Sequence, residues 1–354
     1  MNMRFRILLT LFLVVSVLIV SASLQADSGA NHQVSSIQFG VSGGNVNDIT
    51  RRFCCSGTLG SLIQDSAGNK YILSNNHVLA RSDQASPGED ISQPGLIDNN
   101  CQTPPIVADL TGHPLLGSNV DCAMAALRPS TMDPGGSILD IGNISSNTLG
   151  ASVGLSVAKS GRTTGFTTGT ISAINASVNV QYQRGCGQGK KFVVSYTNQV
   201  VINSSTFSAG GDSGSLIVSN GTTCHRAVAL LFAGSSTTTI GNPIGEVLTK
   251  LGTATGTSLS FVGTNCTTSV EKPVGDDSPN EAAVEFATVA MRSREGDLLS
   301  RPGVIGVGVG SIDDSPTEAA IVVYVDENAS AARLPRRING VRVKVVRTEP
   351  FVAR

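Results

Sequence analysis

The sequence predicts a mainly β fold, a sandwich or a barrel, followed by a small α+β unit at its C-terminal end. Three observations carry that expectation. From Cys54 to about Gly252, short runs rich in Val, Ile, Thr and Tyr alternate with Gly, Ser, Asn and Asp clusters, at the roughly 8–12-residue spacing of all-β domains rather than of βαβ units. Charge is spread unevenly, with 24 of the 51 charged side chains falling in residues 271–354. Beyond Asn280 the pattern changes to one helical stretch and then three β-type runs.

Taken in chain order, Arg4 and Arg6 precede an apolar run at 7–20 and small residues at Ala22 and Ala26. This is the layout of a secretory signal peptide over residues 1–26, and the run is short for a membrane span; an uncleaved anchor is the alternative. Residues 27–45 read as a flexible N-terminus or short pro-segment, and 46–263 as the main domain. Its first hairpin joins runs at 57–63 and 70–74 through Asp65-Ser-Ala-Gly-Asn69. Further strands are expected at 106–110, 121–127, 152–158, 167–174, 178–182, 192–201, 215–218 and 227–232. Ile244, Val247, Leu248 and Leu251 have helical spacing and close the domain. Residues 264–280 are a linker by composition. Asn280 caps a helix from 281 to about 293, and strands follow at 304–309, 320–325 and 341–346, giving an α+β domain over 281–354.

Hydrophobic residues make up 40% of the chain and the net charge is −1. That balance fits globular material and offers no electrostatic footprint for nucleic acid or an anionic membrane. Once the signal is cleaved, no stable membrane insertion is expected, and the protein should be secreted or periplasmic. Seven cysteines suit an oxidising compartment, and their pairing stays open. There is no CxxC pair and no HExxH, so no metal is implied. The glycine run at 303–310 is not GxGxxG and does not lead into a helix; no nucleotide or other cofactor is expected.

Three residues could do chemistry together. In Gly210-Gly211-Asp212-Ser213-Gly214 the glycines let the backbone bend until the N–H groups of Gly211 and Ser213 converge, as an oxyanion hole requires. A serine hydroxyl needs a positioned base. His77, in Leu73-Ser-Asn-Asn-His-Val78, sits at the end of an apolar strand. That base needs a carboxylate to fix its tautomer, and Asp121 heads the otherwise apolar Asp-Cys-Ala-Met-Ala-Ala-Leu. The order is His, Asp, Ser, with gaps of 44 and 92 residues.

Here the chain resembles the trypsin-like serine proteases, whose chymotrypsin template has the same order with gaps of about 45 and about 93. Ser160-Gly-Arg-Thr-Thr-Gly165, followed by Thr168-Gly-Thr-Ile171, resembles the second barrel of the α-lytic protease and streptogrisin group. The resemblance covers about Cys54 to Gly252 and implies two six-stranded antiparallel β-barrels. It also implies a secreted bacterial endopeptidase acting on protein or peptide substrates through an acyl-enzyme. His77, Asp121 and Ser213 would be the triad, and Gly211 and Ser213 the oxyanion hole. Phe207, Phe232, Ala233 and Gly234 would then border the substrate.

Some positions depart from the pattern. Val78 follows the histidine, so Cys55 lacks its usual partner there, and Ala158 and Thr168 replace a pair of cysteines. Phe207 replaces the Asp that binds basic side chains, which suggests a small or apolar residue before the scissile bond. Phe232 stands where relatives often have a serine bonded to the aspartate, so Asp121 must find another donor. The contrasting expectation is a weak or inactive protease fold serving as a binding module. The C-terminal unit could contact a partner or the protease domain itself.

Overall fold

The computed structural model describes residues 37–221, 224–265, 277–330 and 333–353. The expected signal peptide lies outside the described residues, as does most of the expected linker. Within them the chain is mainly β, arranged in two large sheets.

The first sheet is built from β1 (Val41–Asn45), β2 (Gly57–Leu59), β3 (Ser61–Asp65), β4 (Lys70–Ser74), β5 (Asp90–Ser92), β6 (Ile106–Gly112) and β7 (Ala123–Leu127). The second comprises β8 (Ser156–Gly161), β9 (Gly165–Thr170), β10 (Ala173–Gln183), β11 (Lys191–Asn203), β12 (Leu216–Ser219), β13 (Ala227–Gly234) and β14 (Thr238–Pro243). The chain then returns to the first sheet through the helix Ile244–Thr255 and β15 (Leu259–Phe261), which pairs with β3. Ile244, Val247 and Leu251 bury the apolar face of that helix in the first core, beside Leu110 and Met124.

The strand count differs from six and six. In the first sheet the order is β15-β3-β4-β7-β6-β5-β1-β2. Gly60 divides one expected strand into β2 and β3. A Cβ there would lie 1.9 Å from the Gly214 carbonyl oxygen, so only glycine lets this strand pass beneath the serine loop. Residues 41–45, expected in a flexible N-terminal stretch, instead form the buried β1, because Val41 and the close-packed Gly43 fit against Leu59.

The C-terminal strands do not form a sheet of their own. β16 (Val304–Ile312), β17 (Ser315–Asp326), β18 (Arg337–Ile338) and β19 (Val341–Thr348) continue the second sheet, with β16 antiparallel to β10. The glycine run explains the closeness of this join. A Cβ on Gly310 would sit 2.3 Å from the Ser172 carbonyl oxygen, and on Gly306 and Gly308 it would come 3.0 Å from Val178 and Ala176. The helix Glu281–Arg292 packs on β16 and β17 and is capped by Asn280, whose side chain accepts from the Ala283 N–H at 2.8 Å. A last strand, β20 (Phe351–Ala353), enters between β10 and β13.

Candidate active site

His77 rides on the single turn Asn76–Leu79 that ends β4. The two asparagines before it are buried brackets. The Asn75 amide donates to the Asp121 carbonyl at 2.7 Å, and the Asn76 amide donates to Asp83 at 2.7 Å and to the Pro114 carbonyl at 2.8 Å. The imidazole is therefore held by the strand that brings Asp121.

Asp121 is fully buried at the entrance to β7. Burying a carboxylate is costly unless hydrogen bonds replace its water, and here three do. His77 donates to it twice, from its backbone N–H at 3.1 Å and from Nδ1 at 2.6 Å. The third donor is the Tyr182 hydroxyl on β10, at 2.8 Å. Burial, and then the charge of Asp121, push the Tyr182 phenol far up, so it stays protonated and donates. Tyr196 on β11, its own phenol raised chiefly by burial, lies 2.7 Å from the Tyr182 hydroxyl and donates to it. The relay Tyr196–Tyr182–Asp121–His77 thus meets the need created by Phe232. The Phe232 ring packs 4.8 Å from Tyr196 and fills the space a smaller residue would leave. Behind this, the Asp121 N–H donates to Asn242, whose amide donates to Gln199.

Ser213 lies on the turn expected from its glycines, between β12 and the end of the preceding loop. Gly211 and Gly214 have φ of +97° and +94°, and a Cβ on Gly214 would come within 2.2 Å of the Thr58 carbonyl oxygen. Asp212 pins the turn from below: its buried carboxylate accepts from the N–H groups of Thr163, Thr164 and Ala209 and from the Thr164 hydroxyl. Lys159, also buried, stands 3.6 Å away, and desolvation lowers its ammonium to about 8. Arg162 of the Ser-Gly-Arg string forks onto Asp98 of the first barrel at 2.6 and 2.9 Å, tying the two sheets together beside the turn. Among the described residues, no acceptor takes the N–H of Gly211 or Ser213. The Ser213 side chain is buried, and its hydroxyl donates to the Phe232 carbonyl at 3.2 Å.

The four residues expected to border substrate divide. Phe207 is fully buried among Ile202, Ile217 and Leu231, with Gly169 against its ring. Its side chain packs in the barrel core. The Phe232 side chain is likewise internal, and its carbonyl is what faces Ser213. Ala233 and Gly234 present backbone, and β20 pairs with it.

A cavity of about 300 Å³ opens next to His77, lined also by Arg81, Tyr182, Val352 and Ala353. At its far side Asp48, Cys55 and Cys186 place donor atoms within 4.8 Å of one another, the group among the described residues that could hold a metal ion. Cys186 donates to the Asp48 carbonyl at 2.9 Å; contact with Cys55 and burial push its thiol up, and burial raises the Asp48 carboxyl. Cys54 and Cys101 form a disulfide, whereas Cys55, Cys122 and Cys186 are free thiols.

The partners of Asp121 were hard to see in sequence. Tyr182 and Tyr196, two of only four tyrosines, stand in a strand pair where they read as ordinary core residues. Residues 121–243 match the family described as Nal1 C-terminal domain, a span that includes Asp121 and Ser213 but not His77. No curated protein matches the chain. Among solved structures, it is similar to a glutamic acid specific serine protease with a histidine triad in substrate binding, at 20% identity and a TM-score of 0.44 over 63% of this chain and 99% of that one. It is similar as well to Thermobifida fusca Protease A, at 18% identity and 0.42 over 65% and 100%. A third is the α-lytic protease homolog N4, at 20% identity and 0.40 over 64% and 99%.

Proposed function

We propose that the chain is a serine endopeptidase that acts outside the cytoplasm and hydrolyses peptide bonds through an acyl-enzyme. The observation that carries this reading is the His77–Asp121 pair, its carboxylate buried and held by Tyr182, in a chain that also sets Ser213 on a glycine turn. With Nδ1–H donated to Asp121, the basic nitrogen of His77 is Nε2. In the reaction the Ser213 hydroxyl leaves the Phe232 carbonyl, gives its proton to Nε2 and attacks the scissile carbonyl. Asp121 stabilises the imidazolium, and the N–H groups of Gly211 and Ser213 receive the oxyanion. His77 then protonates the leaving amine, and water releases the acyl group by the same route.

Export is supported by the charged and apolar start of the sequence and by the Cys54–Cys101 disulfide. Among the described residues no helix is long and apolar enough to cross a membrane. The binding-module reading rests on Phe232 leaving Asp121 short of a donor and on the missing cysteine bridge beside His77; Tyr182 supplies the donor. Incubation of the purified chain with a peptide library, read by mass spectrometry, tests the proposal. Cleavage that disappears in Ser213→Ala supports it; a full-length folded protein that cuts nothing in the library and takes no covalent serine probe contradicts it.

A further inference from the structure

The edge of β13 beside Ser213 is occupied by the chain itself. β12 pairs with β13 as far as Leu230, the serine loop bonds Leu231 through Ser215 and Gly214, and the chain then turns away. That leaves the Phe232–Gly234 edge open, because β14 covers the opposite one. β20 fills it, antiparallel, with Val352 opposite Gly234 and Ala353 opposite Ala233; on its other side it runs parallel to β10. Extended in this register, a peptide next comes opposite Phe232, the residue whose carbonyl holds the Ser213 hydroxyl.

Side chains secure the strand. Phe351 is buried in the second core, its ring 5.7 Å from Tyr324. Thr348 bonds to Ser235 and to Thr237 at 3.1 Å, and Glu349 accepts from the Ser236 N–H at 3.2 Å. Val352, by contrast, is 38% exposed and borders the His77 cavity. The segment is anchored at its start and laid along the open edge thereafter.

We propose that β20 is an internal competitor: it occupies the edge of β13 beside Ser213 that an extended peptide would pair with, and substrate binds by displacing it. This rests on the peptidase reading and adds its regulation. Strand addition depends on main-chain hydrogen bonds, so any extended peptide can compete for the edge. Its apparent affinity falls by the fraction of molecules in which β20 has lifted away.

The test uses full-length protein carrying Ser213→Ala, so that nothing is cut, and a fluorescein-labelled peptide of sequence Glu-Pro-Phe-Val-Ala-Arg. Binding is read by fluorescence anisotropy in the parent and in Val352→Pro, whose proline cannot sit in the ladder. The expected result is binding at least about tenfold tighter in Val352→Pro. If near-UV circular dichroism shows that variant unfolded, Thr348→Val with Glu349→Ala, which removes the side-chain ties, gives the same comparison. Equal affinity in parent and folded variant overturns the proposal. Covalent labelling of Ser213 in the otherwise native chain is measured in parallel, so a failure of the peptidase reading registers there and not in the binding data.

Discussion

Replacing Tyr182 with Phe removes one hydroxyl from the interior and leaves the ring in place, stacked 5.4 Å from Phe192. The lost bond runs to a fully buried carboxylate. Hydrogen bonds to charged groups contribute about 1.5–3 kcal/mol, and here the Tyr196 hydroxyl also loses the atom it donates to. Folding stability should therefore drop by about 2–4 kcal/mol, two orphaned groups sharing the loss. Tyr196→Phe removes only the outer bond and should cost about 1 kcal/mol. The double variant should be no less stable than Tyr182→Phe alone, since the stranded Tyr196 hydroxyl is gone; that is a coupling of about 1 kcal/mol in a double-mutant cycle. On the chemical side, a carboxylate with one fewer fixed donor holds the imidazolium in a less defined place, and the rate of Ser213 acylation should fall about tenfold. Urea denaturation and the rate of fluorophosphonate labelling measure the two effects. A Tyr182→Phe variant as stable and as reactive as the parent would refute the relay.

Further outcomes follow from the same geometry. Gly214→Ala should unfold the serine turn, since its φ of +94° and a carbonyl 2.2 Å from the new methyl leave no room; loss of labelling together with a lowered Tm checks it. Breaking the buried Arg162–Asp98 fork with Arg162→Ala should cost about 3–5 kcal/mol by leaving a buried carboxylate with only the Ser42 hydroxyl and no cation, and denaturation measures it. Lys159 is held near 8 when folded but close to its ordinary value, about 10.4, when unfolded. Between those values the unfolded chain binds the extra proton, so this group makes stability rise with pH from about 8 to about 10.4. Lys159→Met should flatten that rise in a pH series of melts. Toward a thiol reagent, native protein should expose Cys55 and Cys186 and protect the fully buried Cys122, a difference that peptide mapping after alkylation reads directly.

Much of the site could be read from the sequence because its parts are local. The glycine turn around Ser213, the paired asparagines before His77 and the polar start of β7 each leave a short signature in one stretch of chain. What stayed hidden depends on long-range pairing. Tyr182 reaches Asp121 only because the β10–β11 hairpin, longer than its apolar runs suggested, leans over the first barrel. Phe207 is placed near substrate by its position six residues before Ser213, and its packing against Gly169 depends on a strand pairing that the sequence does not display. The run 303–310 read as a feature of a separate unit, yet its glycines are spaced for contact with β10, and that spacing has meaning only once the partner strand is known. β20 is three residues long and has no periodicity to detect.

Activation of Ser213 by His77 is the central claim. Reaction of the purified chain with a small fluorophosphonate, followed by mass mapping of the labelled peptide, tests this most directly. The expected result is a single adduct on Ser213 that is lost in Ser213→Ala and forms at least about a hundredfold more slowly in His77→Ala. Labelling of Ser213 at the same rate in His77→Ala, or no labelling of the folded protein, would contradict it.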